Sequence, residues 1–391
     1  MTRNAPVHVA IVVGEHSGDQ LGFKLMQALK ERVGGHNVRF TGVAGEAMEH
    51  EGLKSLFPLA DIAVMGIVPV IRRLPSLLAR IRQTASAILA DPPDVLVIID
   101  SPDFTHRVAR RVRRARPGLP VVDYVSPSVW AWRPGRARAM RSYVDHVLAL
   151  LPFEPEVHRG LGGPACTYVG HPLIERLDEV RPGPADSARR AAEPPLLLVL
   201  PGSRRSEISR LLQPFGEALA LLRARNIAFE AVLPAVPHLL DKIRAETSGW
   251  PVRLRIVEGS DAKYAAFRQA KAALAASGTV TLELALAGVP MVVAYRVSKL
   301  EEQLKHLINV PSIVLPNLIL GENVIPELIQ QAANPAALAD ALAPLLSATP
   351  ARALQETALA RLDGLMVLPE GDTPSERAAR IVLEAARSGT A

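Results

Sequence analysis

Cysteine is nearly absent from this chain of 391 residues, which contains only Cys166. A single cysteine excludes an internal disulfide and a cysteine cluster for zinc, and it is typical of a reducing cytoplasm. His-Glu-x-x-His, Asp-x-Asp and Gly-x-Ser-x-Gly sequences are also missing. These absences argue against a metal centre and a nucleophile elbow, so we expect neither a metal nor another cofactor.

Long hydrophobic runs are missing as well. Spanning a bilayer takes roughly 20 consecutive apolar residues. The longest near-apolar region, residues 272–294, is interrupted by a Ser-Gly-Thr triplet and by Glu283. The apolar run from Val7 to Val13 is too short for a signal sequence. We therefore expect a cytoplasmic protein that is soluble or peripheral to a membrane.

The charge balance leaves several classes of partner open. Lys and Arg number 45 against 39 Asp and Glu, which gives a formal net charge of +6. This mild basic excess suits acidic small molecules, an anionic membrane surface or nucleic acid, and it does not choose among them. No nucleic-acid-binding module accompanies the arginines, so we expect no nucleic-acid partner.

Strand-like apolar runs alternate with helix-like segments, which predicts an α/β protein with parallel sheets. The predicted strands cover residues 8–13, 38–43, 95–100, 120–125, 147–151, 196–200, 229–233, 254–257, 272–276 and 291–295. A Pro- and Gly-rich linker at 181–185 predicts two Rossmann-like, doubly wound domains, 1–182 and 183–364, that face a cleft. The final segment, about 365–391, carries a capping signal at Thr373 and Glu376 and is expected to pack back or reach another subunit.

The run 95–99 leads straight into Asp100, with a second carboxylate at Asp103. Ligands of open α/β sheets bind beyond the carboxyl ends of such buried strands. We therefore predict that Asp100 is a carboxylate at the floor of a cleft, where it could take part in chemistry. Asp103 follows Pro102 at a helix start and is expected to support that helix.

The first strand is followed by Gly14-Glu-His-Ser-Gly-Asp19, which opens the first helix. Two glycines and a helix N-terminus can receive a negative group, which makes Glu15, Ser17 and Gly18 candidate site residues. The alternative is an ordinary strand–helix turn in which Ser17 or Asp19 caps the helix.

Two turns in the second half combine small residues with a helix start. Pro201-Gly-Ser-Arg204 offers a guanidinium for a phosphate, and Ala276-Ser-Gly-Thr279 offers backbone amides, with Glu283 one turn further on. The ordinary interpretation is a pair of capped helices. Together the two turns favour a nucleotide-diphosphate site at Arg204, Ser277, Gly278, Thr279 and Glu283.

Two further segments could meet a lipid or its head group. One contains Trp130 and Trp132 followed by arginines, which could instead be core tryptophans on a solvated helix. The other is apolar with a basic edge, which fits either buried core or a membrane-dipping segment. Its candidate membrane or acyl-chain residues are Met65, Ile67, Val68, Ile71, Arg72 and Arg73. His171 could serve as a base or as a donor to an anion, although a lone histidine is more often structural.

These segments together resemble the lipid-A-disaccharide synthase family. The resemblance rests on motifs spread over nearly the whole chain: Gly14-Glu-His-Ser-Gly-Asp19, Val64-Met-Gly-Ile-Val68, Ile99-Asp-Ser-Pro-Asp-Phe104, Tyr124-Val-Ser-Pro-Ser-Val-Trp-Ala-Trp-Arg133, Leu151-Pro-Phe-Glu-Pro155, Val169-Gly-His-Pro-Leu173, Leu200-Pro-Gly-Ser-Arg204, Ala276-Ser-Gly-Thr279, Pro290-Met-Val-Val-Ala-Tyr-Arg296 and Leu315-Pro-Asn-Leu-Ile319. The chain departs from the family pattern at His16, where alanine is usual, and at Pro69, where glutamate is usual.

The resemblance implies a GT-B fold and an inverting glycosyl transfer. The donor would be UDP-2,3-diacylglucosamine, the acceptor 2,3-diacylglucosamine 1-phosphate, and the products a β-1,6-linked disaccharide 1-phosphate and UDP. It implies donor contacts for Arg204, Glu283, Asn317 and Gln330, a peripheral position on the cytoplasmic face of the inner membrane, and a homodimer that can exchange C-terminal segments. For the base, Asp100 ranks ahead of Glu15 and His171. The alternative is another UDP-N-acetylglucosamine enzyme of the GT-B class, a cell-wall transferase or a 2-epimerase.

Overall fold

The computed structural model describes residues 6–62, 67–298, 310–368 and 372–389, with the backbone alone for residues 67–73. The chain divides into two compact units. Unit 1 comprises Met1–Glu175 together with Leu368–Ala391, and unit 2 comprises Arg176–Val367. The chain therefore leaves unit 1, builds unit 2, and returns to unit 1.

The strands of the described residues form one parallel sheet in each unit. They are β1 (Val7–Val13), β2 (Val38–Val43), β3 (Val95–Ile99), β4 (Val121–Tyr124), β5 (His146–Ala149), β6 (Ala165–Tyr168), β7 (Leu196–Leu200), β8 (Glu230–Ala235), β9 (Leu254–Glu258), β10 (Ala272–Ala276), β11 (Met291–Tyr295) and β12 (Glu327–Ile329). The strand order is β2-β1-β3-β4-β5-β6 in unit 1 and β12-β11-β10-β7-β8-β9 in unit 2.

Helices flank both sheets, with short 3-10 turns between some of them. The α-helices are α1 (His16–Val33), α2 (Glu46–His50), α3 (Ile67–Ala90), α4 (Thr105–Ala115), α5 (Gly135–Met140), α6 (Glu154–Gly160), α7 (Leu177–Val180), α8 (Pro184–Ala191), α9 (Arg205–Ala224), α10 (Leu240–Thr247), α11 (Ser260–Gln269), α12 (Val280–Leu286), α13 (Leu315–Leu320), α14 (Pro335–Leu342), α15 (Pro350–Ala360), α16 (Leu362–Met366) and α17 (Pro374–Ser388).

The central strands are apolar throughout because helices cover both faces of each sheet. All five residues of β3, β7 and β10 are buried. Side chains that alternate along β3 enter different cores: Val95, Val97 and Ile99 pack on the α1 side, and Leu96 and Ile98 pack on the other. Burying this continuous apolar area is the main favourable term in the stability of such a sheet.

Strand order reverses at one point in each sheet. In unit 1 the reversal lies between β1 and β3, and in unit 2 it lies between β7 and β10. At a reversal the two following segments leave toward opposite faces of the sheet, which opens a crevice at the carboxyl ends of the strands. The predicted site motifs 14–19 and 100–103 follow the first pair of strands, and 201–204 and 277–279 follow the second.

The ten predicted strands are present, with ends that differ by two residues at most. The sequence interpretation missed β6 and β12, both short and only partly buried at the edge of a sheet. The units divide after Glu175 and after Val367, whereas the sequence interpretation placed the boundaries at 182 and 364. A parallel doubly wound sheet in each unit agrees with the predicted fold class.

Helix α17 packs on α1, β3 and β4 of unit 1. Its capping box is formed, because Glu376 N donates to Thr373 Oγ1 at 3.2 Å and Thr373 N donates to Glu376 Oε2 at 2.9 Å. Ala378, Val382 and Leu383 are buried against the core of the sheet. The final segment is therefore an integral part of unit 1.

Replacing Leu383 by alanine tests this role of α17. We expect a loss of about 2–5 kcal/mol in the free energy of unfolding, because the truncation leaves a cavity beside the sheet. The neighbouring Glu384 is exposed, so Glu384→Ala is the matched control and should change stability by no more than about 0.5 kcal/mol. Equilibrium denaturation of both variants measures the difference; equal stabilities would mean that α17 contributes little to unit 1.

Candidate active site

The reversal in unit 1 brings the ends of β1 and β3 side by side, with Val13 paired to Ile99. The chain then continues into Gly14 and Glu15 on one side and into Asp100 and Ser101 on the other. No bulky side chain separates the two turns: a Cβ on Gly14 would lie 2.3 Å from Ser101 Cβ. Glycine at position 14 is therefore required by the close approach of the two segments.

Asp100 and Ser101 both adopt left-handed backbone conformations, with φ of 54° and 45°. Such conformations are costly for residues other than glycine and persist where surrounding bonds enforce them. Asp100 N donates to Tyr124 O at 3.2 Å, and Thr105 Oγ1 donates to Asp100 O at 2.6 Å. These bonds hold the left-handed turn at the carboxyl end of β3.

The Asp100 carboxylate is held by two hydrogen bonds. Ser101 N donates to Oδ1 at 2.7 Å, and Ser17 Oγ donates to Oδ2 at 3.2 Å. Ser101 Oγ in turn donates to Glu15 Oε1 at 3.1 Å. A carboxylate oxygen can accept more than one bond, so Asp100 retains the capacity to take a proton from a ligand. Glu15 and Ser17 are exposed and Asp100 is half-buried, so a ligand can reach the group.

Gly18 has a different role from the one predicted. It is buried, and a Cβ there would lie 3.3 Å from Ile99 O and 3.4 Å from Val13 Cβ. The missing side chain therefore lets α1 pack closely on β1 and β3. Gly18 therefore affects the site through this packing and is not part of its exposed surface.

Asp19 is completely buried and does not cap its own helix. Its Oδ1 accepts from Gly45 N at 2.9 Å and Met48 N at 3.2 Å, and its Oδ2 accepts from Ala47 N at 3.0 Å. The carboxylate thus satisfies the first amides of α2, which a helix leaves without internal partners. The idea that Ser17 or Asp19 caps α1 is wrong; Asp19 joins α1 to α2.

His171 is poorly placed to act as a base. Its Nδ1 accepts a hydrogen bond from Leu173 N at 3.1 Å, so the proton of the neutral ring is on Nε2. Desolvation by burial lowers the pKa of His171 to about 4. The ring is therefore neutral near pH 7 and has already used its lone pair, which suits a hydrogen-bond donor better than a proton acceptor.

Trp130 and Trp132 are half-buried. Trp130 Nε1 donates to Glu154 Oε1 at 3.2 Å, and its ring packs edge-on to Phe153 with centroids 5.5 Å apart. Desolvation raises the pKa of the buried Glu154 carboxyl to about 7. These contacts anchor Trp130 in unit 1, and its acyl-chain role stays a prediction. The Trp132 ring lies under the Arg133 guanidinium at 4.2 Å.

The predicted membrane segment is only partly described. Met65 lies outside the described residues, as do the side chains of the other predicted members, Ile67, Val68, Ile71, Arg72 and Arg73. Helix α3 continues past them, and Leu74 and Leu78, one turn apart, are 41% and 37% exposed. Among the described residues, no helix is long and apolar enough to cross a membrane.

The first predicted anion turn of unit 2 already holds a carboxylate. Glu207 Oε2 accepts from Ser203 N at 3.0 Å and from Arg204 N at 3.1 Å. Arg204 Nη1 donates to Glu207 Oε1 at 3.0 Å, and the Arg204 side chain is 65% exposed. The structure therefore adds Glu207, a residue that sequence reasoning missed although it stands three residues after the helix cap Arg204, as in a capping box.

The second turn of unit 2 is more open. Gly278 and Thr279 are exposed, and Gly278 has a φ of 154°. Ser277 differs, because its Oγ donates to Ile313 O at 2.7 Å and ties the turn to the segment before α13. The exposed turn follows β10, next to the turn after β7, so the two predicted turns are neighbours.

Glu283, one turn into α12, is engaged by two side chains. Lys263 Nζ lies 2.6 Å from Oε2, and Tyr264 OH donates to Oε1 at 3.0 Å. Desolvation, with the Glu283 charge, raises the pKa of Tyr264 to about 12, so the phenol keeps its proton. The Glu283 side chain is 12% exposed, so only a small part of it is open to solvent.

Asn317 is buried and hydrogen-bonded within the protein, and its donor contact stays a prediction. It is 1% exposed. Its Nδ2 donates to Ile325 O at 3.0 Å and Glu327 Oε1 at 2.9 Å, and its Oδ1 accepts from Val324 N at 3.1 Å and Ile325 N at 3.0 Å. The buried Asn317 amide thus donates two hydrogen bonds and accepts two, all within the segment that leads into β12.

Gln330 lines a cavity of about 570 Å³ in unit 2. Its Oε1 accepts from Val297 N at 2.7 Å, and its own backbone is left-handed with a φ of 54°. Arg296 and Arg210 also line this cavity. Of the residues predicted to contact the donor, Gln330 is thus in a pocket, whereas Arg204 and the 278–279 turn lie at the strand reversal.

Comparisons with known proteins agree on one family. A family model described as lipid-A-disaccharide synthetase matches residues 9–363. A lipid-A-disaccharide synthase of Rhodopseudomonas palustris (strain HaA2) is 57% identical over 387 residues, covering 99% of this chain and 98% of the relative. The corresponding protein of Nitrobacter hamburgensis is 56% identical over 382 residues, covering 97% and 96%.

Solved structures agree on the fold. A glycosyltransferase of kitacinnamycin has a TM-score of 0.63 at 18% identity and covers 97% of this chain and 99% of its own. A UDP-N-acetylglucosamine 2-epimerase from Neisseria meningitidis bound to UDP-GlcNAc has a TM-score of 0.59 at 12% identity and covers 97% of this chain and 99% of its own. The two parallel sheets of this chain therefore have the GT-B fold predicted from the sequence.

Replacing Asp19 by alanine tests its structural assignment. Three amide groups at the start of α2 lose a charged acceptor, so we expect the free energy of unfolding to fall by about 2–4 kcal/mol. Gln20→Ala, at an exposed neighbouring position on α1, is the control. Equilibrium denaturation measures both variants, and a stable Asp19→Ala protein would contradict the proposed link between α1 and α2.

Proposed function

Because this chain belongs to the lipid-A-disaccharide synthase family, and is therefore a hexosyltransferase that forms the lipid A disaccharide, we propose that Asp100 is its general base. The enzyme joins a UDP-sugar donor to a sugar-phosphate acceptor. The finer identities are part of the proposal: a diacylglucosamine on UDP as donor and diacylglucosamine 1-phosphate as acceptor. The observation that supports Asp100 most directly is its half-buried carboxylate at the strand reversal, held by Ser17 Oγ at 3.2 Å and Ser101 N at 2.7 Å.

The proposed reaction is a direct displacement. The acceptor hydroxyl oxygen forms a bond to the anomeric carbon of the donor, and its proton passes to the Asp100 carboxylate. The bond between the anomeric carbon and the phosphate oxygen breaks, and UDP leaves with the electron pair. Positioned proton transfer of this kind contributes typically 10²- to 10⁴-fold to the rate. Glu15, linked to the same turn through Ser101, is the second candidate.

We place the donor diphosphate at the strand reversal of unit 2. The exposed Arg204 guanidinium can stabilise the negative charge that develops on the departing diphosphate. The Glu207 carboxylate occupies the amides of Ser203 and Arg204, so a bound phosphate would either displace it or use the neighbouring 278–279 turn. Glu283 is the candidate acceptor for a sugar hydroxyl of the nucleotide.

We also propose that the start of α3 lies on a membrane surface, since both substrates in this proposal carry acyl chains. Leu74 and Leu78 are exposed on one side of the helix, and exposed apolar residues next to basic ones favour an anionic interface. Exchange of the C-terminal segment in a homodimer stays a prediction; α17 here packs on its own unit 1.

The alternative function, another UDP-N-acetylglucosamine enzyme of the GT-B class, is not favoured. A MurG from Acinetobacter baumannii and several 2-epimerases share the fold at 12–17% identity. Identity at that level carries the fold alone, whereas lipid-A-disaccharide synthases match at 54–57% over most of the chain. The specific relatives therefore decide between two functions that the same fold could host.

Asp100→Asn tests the proposed base. Asparagine tolerates the left-handed backbone and keeps an acceptor for Ser17, so the variant removes proton-accepting ability with little change in shape. We expect kcat to fall by about 10²- to 10⁴-fold, measured as UDP release in the presence of acceptor. Glu15→Gln should be affected less. If Asp100→Asn keeps near-normal turnover and Glu15→Gln does not, the role belongs to Glu15.

Leu74→Ser combined with Leu78→Ser tests the proposed membrane contact. We expect weaker co-sedimentation with vesicles that contain anionic lipid, at unchanged thermal stability, because both side chains are exposed in the free protein. Leu354 is 61% exposed in unit 2, so Leu354→Ser is the matched control and should bind vesicles like the parent. Equal vesicle binding by all three proteins would overturn the assignment.

A further inference from the structure

Unit 1 contains a cavity that the proposed chemistry leaves unused. It has a volume of about 360 Å³, within the range of ligand pockets. Its wall begins at Pro102 and Asp103, two and three residues after Asp100, and continues with α4 and α5. The lining residues are Pro102, Asp103, His106, Arg107, Arg110, Arg133, Gly135, Arg136, Ala139 and Tyr143.

The cavity is strongly basic. Four guanidinium groups, those of Arg107, Arg110, Arg133 and Arg136, face a single lining carboxylate, that of Asp103. Asp103 is 86% exposed and lies 3.7 Å from Arg136 Nη2, a distance at which an exposed pair contributes little. Arg107 forms no salt bridge with any described residue. An anion that entered would therefore meet four guanidinium groups and one exposed carboxylate in the lining.

The floor of the cavity is rigid and polar. Arg110 Nη2 donates to Tyr143 OH at 3.1 Å, and the guanidinium stacks 4.5 Å from the centre of the Tyr143 ring. Behind it, Tyr143 OH lies 3.1 Å from His106 Nδ1, and His106 Nε2 lies 3.2 Å from Asp123 Oδ2. His106, Asp123 and Tyr143 are buried, so this chain of contacts orients Arg110 before any ligand binds.

We propose that this cavity binds the phosphate group of the sugar-phosphate acceptor, an inference that rests on the proposed function. Arginine is suited to phosphate because its planar donors match two oxygens at once. Asp103 is three residues from Asp100, so their Cα atoms are at most about 10 Å apart. One sugar ring that carries its reacting hydroxyl and its phosphate at opposite ends can therefore reach Asp100 and the cavity together.

The same chemistry would also recognise the head group of an anionic lipid at a membrane surface. The observations favour the acceptor, because the site is a concave cavity beside Asp100 with one arginine fixed from behind, whereas attraction to an anionic surface needs only exposed basic residues. Neutral detergent micelles contain the acceptor but no anionic lipid, so they separate the two sources of phosphate. If the cavity binds the acceptor, substituting its arginines raises KM in these micelles; if it binds anionic lipid, KM does not change.

Steady-state kinetics in neutral detergent test the proposal with Arg107→Gln and Arg136→Gln. We expect KM for the phosphorylated acceptor to rise by about ten- to a hundred-fold while kcat stays within about twofold, since each change removes a charge-assisted contact. Arg111 lies on the same helix and is exposed but does not line the cavity. Arg111→Gln is therefore the matched control and should keep the parent KM.

An acceptor that lacks the phosphate identifies the group being recognised. The parent protein should bind it more weakly, and Arg107→Gln should cause no further loss. The proposal would be overturned if Arg107→Gln weakened the binding of both acceptors equally. It would also be overturned if KM of Arg107→Gln for the phosphorylated acceptor equalled that of Arg111→Gln. It would also be overturned if the variants lost binding to anionic vesicles alone, with unchanged KM in micelles.

A direct binding measurement separates failure of this inference from failure of the proposed function. If the parent protein transferred sugar to neither acceptor, the proposed function would fail, and calorimetric titration with glucosamine 1-phosphate would still decide the cavity. Binding that is stronger than for glucosamine and weakened in Arg107→Gln supports the phosphate site. Equal binding of both compounds, or no effect of the substitution, rejects it.

Discussion

The left-handed backbone at Asp100 and Ser101 is the constraint on which the site of unit 1 depends. Each such residue costs about 1–2 kcal/mol, and the fold holds both through the Tyr124 carbonyl and the Thr105 hydroxyl. Because of this turn, the Asp100 carboxylate meets Ser17 from the neighbouring strand connection. The same turn leads into the wall of the basic cavity, so the proposed base and the proposed phosphate contacts both depend on it.

An acidic side chain of the protein occupies one of the places predicted for a ligand anion. The Glu207 carboxylate accepts from the amides of Ser203 and Arg204 after β7. This internal partner keeps the two amides oriented in the absence of a ligand. A phosphate that bound to these amides would compete with the Glu207 carboxylate, so its affinity would depend on the difference between the two interactions.

Much of this architecture could be predicted from the sequence because strands buried on both faces are continuous apolar runs. The edge strands β6 and β12 carry no such run, and the position of β12 decides the role of Asn317, whose partner Glu327 belongs to that strand. The location of Asp100 at a strand end was also predictable. Its backbone conformation and the burial of Gly18 were not, since both depend on how α1 and the β3 connection pack in three dimensions.

The return of the chain to unit 1 has a consequence for synthesis on the ribosome. Unit 2 is one continuous stretch of sequence, whereas the face of α1 that α17 covers stays open until the last segment has emerged. Domains generally fold as units during synthesis, the N-terminal one first. Unit 1 departs from that order, because unit 2 can complete its core while unit 1 still exposes the apolar face of α1, which α17 covers.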